Sequence, residues 1–255
     1  MDENCVLIEC ENQVMVITLN RPHVRNAINR EMSLAVGAAL DQLDANDDLA
    51  LAILTGAGGT FSAGMDLKAF LGGEDVRPDG RGLAGICRKS PRKPVIAAVE
   101  GWALAGGCEV ALACDLIVAA EGAVFGLPEV KRGLIAGDGG LLRLSRRIPS
   151  GLAMELALTG DPLTADRAHR CGLVNSLTEN GRALDGAREL ASRVVRNAPL
   201  AVAASRDIVK SALDAPEDIG FKRQDRILST LLGSMDAREG ARAFVERRDP
   251  VWSGR

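Results

Sequence analysis

The chain has 255 residues, 47% of them apolar and 25% charged, enough to bury a sizeable core in one domain or in one domain plus an appendage. With 34 acidic against 31 basic residues and no long Lys/Arg block, it offers neither a nucleic-acid groove nor a surface drawn to anionic membranes, though a few local cations suffice for a small anionic ligand. No apolar run reaches the roughly 18 residues of a membrane span, the N-terminus opens on Asp2 and Glu3 rather than a basic patch, and Cys5, Cys10, Cys87, Cys108, Cys114 and Cys171 form no CxxC pair, so a cytoplasmic protein with reduced thiols is expected.

In chain order, Val6 to Cys10 and Val14 to Leu19 are β-rich runs around polar Glu11, Asn12 and Gln13, which predicts a hairpin ended by Asn20-Arg21-Pro22. Helical spacing of apolar residues predicts a helix from Arg30 to Leu43, and Leu51 to Leu54 a short buried strand. Gly72 to Gly82, rich in Gly and charge, reads as a solvated loop, with a mobile substrate lid as the other reading. Val95 to Val99 and Leu116 to Ala119 read as strands flanking a helix from Gly106 to Cys114, an α/β order with a partly parallel sheet. Beyond about residue 150 the pattern turns helical near Met154 to Leu158, Asp185 to Arg196, Leu200 to Ala212, Glu217 to Leu232 and Ala237 to Arg248; such a tail covers the core or packs against another subunit.

Two glycine-rich segments carry the candidate chemistry. In Phe61-Ser62-Ala63-Gly64-Met65-Asp66-Leu67-Lys68, small residues after a strand allow a ligand to approach the backbone, as they would also allow a plain turn. In Glu100-Gly101-Trp102-Ala103-Leu104-Ala105-Gly106-Gly107-Cys108-Glu109, a strand passes through a small-residue turn into an apolar helix whose first amide, at Gly106, is free to face a developing oxyanion. Glu109 is then either a carboxyl driven toward neutrality by apolar neighbours or a first-turn acid favoured by the helix dipole. Twenty positions on, Phe125-Gly126-Leu127-Pro128-Glu129 supplies a second carboxyl, which the intervening helix and strand can return to the first or leave in solvent.

Other groups are less informative. His23 and His169 belong to no metal-ligand spacing, so no metal is expected. Arg88, Lys89, Arg92 and Lys93, interleaved with Ser90, Pro91 and Pro94, read as a solvated loop before a ligand-phosphate site. The Gly-Gly pairs lack the spacing of dinucleotide or nucleotide loops.

Taken in order, Asn20-Arg21-Pro22 with Asn26-Ala27, Phe61 to Lys68, Ala105 to Glu109, Phe125 to Glu129, Gly137 to Leu142 and Phe244-Val245-Glu246-Arg247-Arg248 resemble the crotonase (enoyl-CoA hydratase/isomerase) superfamily across nearly the whole chain. The resemblance implies a spiral of ββα repeats over 1–195 with an acyl-CoA site, followed by a helical region, 196–255, for trimer or hexamer packing and site cover. It implies an oxyanion pocket made by the backbone N–H groups of Met65 and Gly106, and hydration of a 2-enoyl-CoA thioester by Glu109 and Glu129 with no cofactor beyond the CoA of the substrate. It further implies CoA contacts from Ala63, Gly64, Asp66, Leu67 and Lys68, and from Phe244 and Arg247 toward a neighbouring subunit.

Two residues depart from the family pattern: Met65, where a small residue is frequent, and Asp138, a third acid in a glycine-rich loop. Asp138 either caps the following helix or adds a proton-transfer group, which favours an isomerase or a dehydratase of a substituted acyl-CoA such as a carnitinyl thioester. A non-enzymatic member binding RNA or acyl-CoA is the remaining alternative. Against RNA, the helix from Arg30 to Leu43 carries one cation, Arg30, beside Glu31 and Asp41; against a mere binder, both glutamates are kept.

Overall fold

The structure, a computed structural model, describes residues 4–212 and 214–255, so the acidic start at Asp2 and Glu3 lies outside the described residues. The chain divides into two compact units, the first ending at Ala191 and the second running from Ser192 to Arg255.

The first unit opens with the hairpin β1 (Val6–Glu11) and β2 (Val14–Leu19). Asn12 and Gln13 both take positive φ, the two-residue turn whose twist matches antiparallel strands. Helix α1 (Arg30–Ala45) starts where the Asn29 side chain accepts the Met32 N–H, and it buries Met32, Val36, Ala39, Leu40 and Leu43 on one stripe. Then follow β3 (Leu51–Gly56), α2 (Leu67–Leu71), β4 (Val95–Val99), β5 (Trp102–Leu104), α3 (Gly106–Ala113), β6 (Leu116–Ala120) and β7 (Val124–Gly126). The unit closes with α4 (Gly140–Arg147), α5 (Ser150–Thr159), β8 (Leu163–Thr164), α6 (Ala165–Arg170), β9 (Ser176–Thr178) and most of α7 (Ala183–Val195).

The strands form two sheets. The six-stranded one has the order β1-β2-β3-β4-β6-β9, parallel except for the first pair; the smaller has the order β5-β7-β8. Each turn of the chain places one strand in the large sheet and the next in the small one: β4 then β5, β6 then β7. An isolated parallel bridge between Ser62 and Ala103 adds a turn, because it sets the segment after β3 beside β5. The central strands are buried on both faces, so Val95–Val99 reads as an unbroken apolar run.

Three expectations need correction. The Trp102–Leu104 segment is a strand rather than only a turn, and Val124–Gly126 is another, each too short to show a period. The last hundred residues are not all-helical, since β8 and β9 lie there and β9 extends the large sheet beside β6. Gly72 to Gly82 is only partly solvated: Val76 is buried and its carbonyl accepts from Ser33 Oγ at 2.8 Å, while Arg81 turns inward to Asp41 and Gly85 O. The basic run is exposed at Arg88, Lys89 and Arg92, as a solvated loop should be, and is anchored at its end to α1, where Lys93 Nζ donates to Leu43 O and Asn46 O and Arg92 N–H meets the Asp44 carboxylate. Cations there complement the unpaired carbonyls of a helix C-terminus.

The second unit holds α8 (Pro199–Ser211), α9 (Glu217–Leu232) and α10 (Met235–Glu246). Arg223 bonds both Asp207 oxygens and links α9 to α8. The segment after α10 folds back over it: Asp236, buried, accepts from the N–H groups of Ser253 and Gly254, and Trp252 donates to Arg196 O at 2.8 Å. Among the described residues no helix is long and apolar enough to cross a membrane.

Candidate active site

The loop after β3 is shaped by a side chain from far up the chain. Asn26, fully buried at positive φ, donates through Nδ2 to Ala57 O and Thr60 O and accepts from the Arg21 N–H. Ser62 Oγ donates to Asn26 O and accepts from Gly64 N–H. Arg21 in turn pairs with Asp66 at 2.9 Å and donates to Ala27 O. Asp66 also caps α2 by accepting from Lys68 N and Ala69 N, so its carboxylate is engaged within the protein and held below the usual carboxylate range, its burial outweighed by the Arg21 and backbone bonds.

This scaffold brings Met65 and Gly106 together. Ile28 brackets Met65 by donating to Gly64 O and accepting from Asp66 N, which leaves the Met65 N–H pointing away from that bridge. Ala105 takes the rare conformation φ 51°, ψ −127°, pinned by its N–H to Gly126 O, and so delivers Gly106 as the first residue of α3. Neither the Met65 nor the Gly106 N–H has an acceptor among the described residues. A Cβ on Gly64 would stand 2.9 Å from Gly106 N, and one on Gly106 would stand 3.3 Å from Met65 N and 2.2 Å from Leu83 Cδ2. Glycine at both positions therefore keeps two partnerless amides beside one small space.

Glu109 lies one helical turn beyond, 3% exposed among Cys108, Val110, Ala111 and Leu112. Its Oε1 accepts from Asp138 N at 2.7 Å and Gly140 N at 2.8 Å. Burial pushes its pKa up to about 7; the two amides oppose that rise, and the charges of Asp138 and Glu129 add to it. Glu129 sits on the 3-10 turn Pro128–Arg132 after β7, half-buried rather than solvent-facing. Burial raises its pKa as well, and its Oε2 is buried with no hydrogen-bond partner among the described residues. The two carboxyls are thus near enough for one charge to act on the other.

Asp138 does not cap the following helix, whose N-terminal neighbour Gly139 offers no side chain. Its buried carboxylate instead pairs with Arg88 at 3.2 Å and Arg77 at 3.9 Å. Lys68 and Leu67 are exposed at the start of α2, and Ala63 is half-buried. In the second unit, Phe244 is exposed on α10 and Arg247 ends that helix in the left-handed conformation. His23 is exposed and His169 contacts Val174 O; among the described residues no three His, Cys, Asp or Glu side chains gather as a metal site.

A family model described as enoyl-CoA hydratase/isomerase matches residues 9–255. The chain belongs to the enoyl-CoA hydratase/isomerase family. An enoyl-CoA hydratase structure from Mycobacterium tuberculosis H37Rv is 55% identical, with a TM-score of 0.97 over 99% of this chain and 100% of the other. A carnitinyl-CoA hydratase structure from Mycobacterium avium is 44% identical, with a TM-score of 0.79 over 99% and 100% of the two chains. The carnitinyl-CoA dehydratase of Salmonella paratyphi A is 43% identical over 252 residues, 95% of each chain. The alternating two-sheet spiral described above is therefore the crotonase fold, as the resemblance implied.

Sequence reasoning missed the interior roles of this enoyl-CoA hydratase/isomerase family member. Asn26 and Arg21 stood out as motif residues, but nothing in their spacing told that they shape the loop carrying Met65. The arginines around Asp138 come from segments 50 and 61 positions upstream in one case each and carry no periodic signal.

Proposed function

We propose that the protein adds water syn across the 2,3 double bond of a 2-enoyl-CoA thioester. The observation that carries this reading is the pairing of two electrostatically coupled carboxyls, buried Glu109 and half-buried Glu129, with two partnerless amides at Met65 and Gly106. The amides donate hydrogen bonds to the thioester oxygen as negative charge develops on it. Water loses a proton to one carboxylate while its oxygen bonds C3, and the C2 carbanion, delocalised onto the thioester oxygen, takes a proton from the carboxyl pair. Each glutamate needs a pKa brought toward the working pH for that exchange, and burial does this for both.

Around this centre, Ala63, Gly64 and Leu67 line the pantetheine path, Lys68 lies near the nucleotide phosphates, and Met65 narrows the acyl end. The second unit serves packing in a trimer or hexamer, where Phe244 and Arg247 reach a neighbouring subunit's CoA. No further cofactor is required, and the compartment is the cytoplasm.

A second reading, dehydration of a substituted acyl-CoA, is favoured by the 43% identity to carnitinyl-CoA dehydratases and uses the same groups in reverse. Turnover of crotonyl-CoA and of carnitinyl-CoA, each with Glu109→Gln as control, tests both. Hydration of crotonyl-CoA that vanishes in the variant supports the first; turnover of carnitinyl-CoA alone moves the assignment to the second. Glu129→Gln is expected to bind the thioester nearly as tightly while losing roughly 100- to 10,000-fold in kcat; unchanged turnover removes Glu129 from the mechanism.

A further inference from the structure

The turn Gly137 to Gly140 is held at three carbonyls, two N–H groups and the Asp138 carboxylate. Gly137 O accepts from Arg88 Nη2 at 2.9 Å, Asp138 O accepts from Arg143 Nη1 at 2.8 Å, and Gly139 O accepts the Arg143 N–H. The Asp138 carboxylate, 5% exposed, meets Arg88 Nε and Arg77 Nη1. Gly82, at positive φ, makes room for that pair, because a Cβ there would stand 2.8 Å from Arg88 Cγ and 2.9 Å from Asp138 Oδ1. Two of the turn's N–H groups, those of Asp138 and Gly140, both point at Glu109 Oε1.

We propose that Asp138, gripped by Arg88 and Arg77, is a positioning residue that aims these two amides at Glu109 and sets the field in which Glu109 exchanges its proton. This rests on the reading of Glu109 as an acid/base group. A carboxylate beside a buried carboxyl disfavours its ionised form, and a guanidinium on that carboxylate offsets the effect. The cluster is therefore a two-sided control: losing the acid leaves two cations without their carboxylate near Glu109, and losing one cation leaves the acid with a single guanidinium. The other groups facing Glu109 are Glu129 from the turn after β7, Cys87 from the segment before β4 and Cys108 on its own helix, with Arg143 of α4 behind Cys87; all are unchanged by the substitutions below.

The test reads the titration of Glu109 without using turnover. Chemical denaturation of wild type, Asp138→Asn, Arg88→Gln and the double variant is followed from pH 5 to pH 9, each with and without Glu109→Gln, and the pH-dependent difference within each pair reports Glu109 alone. Asp138→Asn is expected to move that window down by about half a pH unit or more, Arg88→Gln to move it up, and the double variant to return toward wild type. Windows that coincide in all four backgrounds, or that shift the same way for both single variants, overturn the proposal. Asp138→Ala is expected to lower kcat for crotonyl-CoA about tenfold with KM nearly unchanged. Loss of turnover in Glu109→Gln with coincident windows would leave the hydratase reading standing and sink this one; opposed windows with Glu109→Gln still fully active would sink the hydratase reading, and with it the positioning role, while leaving the electrostatic link between Asp138 and Glu109.

Discussion

Glu109 shows how much a single side chain depends on what surrounds it. Its Oε1 accepts two N–H groups and so has both lone pairs engaged, which leaves Oε2 as the oxygen that carries a proton. The raised pKa also has a stability consequence. An unfolded glutamate titrates near 4.5 and the folded one near 7, so the contribution of this carboxyl is fully present below the lower value and lost as pH rises through the upper one. Glu109→Gln keeps an acceptor for both amides and cannot ionise. It is expected to gain up to about 3 kcal/mol relative to wild type between pH 4.5 and pH 8, measured by urea denaturation at both ends. A constant difference across that range would show that the carboxyl is not titrating there.

Among the elements, the turn into α3 and the loop after β3 are interdependent. Gly106→Ala alone confounds two effects, since its methyl meets both Leu83 and the space beside Met65 N. In a Leu83→Ala background the steric clash with Leu83 is removed while the methyl still obstructs the two amides. That double variant is expected to fold, by circular dichroism, yet to lose roughly 100- to 1,000-fold in kcat. Asn26→Ala acts from a distance: it leaves two buried carbonyls and an amide unpartnered and is expected to cost about 2 to 4 kcal/mol, read as a lower denaturation midpoint. The helices with strong apolar spacing, α1 above all, were legible in the sequence nearly to their ends, because one buried stripe dictates them. Strands of two or three residues such as β5, β7, β8 and β9 were not, because their existence depends on partners supplied by other turns of the chain.

For the molecule as a whole, the family could be read from motif order, and Glu109 and Glu129 stood out as a carboxyl pair. What hid was the interior wiring, such as Asp138 with Arg88, since ion pairs across 50 positions leave no trace in local pattern. The second unit offers a separate test. Asp236 gathers the segment after α10 through three donors, so Asp236→Ala is expected to lower the denaturation midpoint by the equivalent of about 2 to 3 kcal/mol; an unchanged midpoint would show that this segment adds nothing to stability. The partnerless donors of the candidate site are main-chain groups, whereas its acids are side chains. A single-base change in the codon for Glu109 or Glu129 can thus erase a carboxyl while both amides stay encoded by the fold itself. On the function proposed above, heredity could rewrite the acid/base half of the site one letter at a time and leave the main-chain donors as they are.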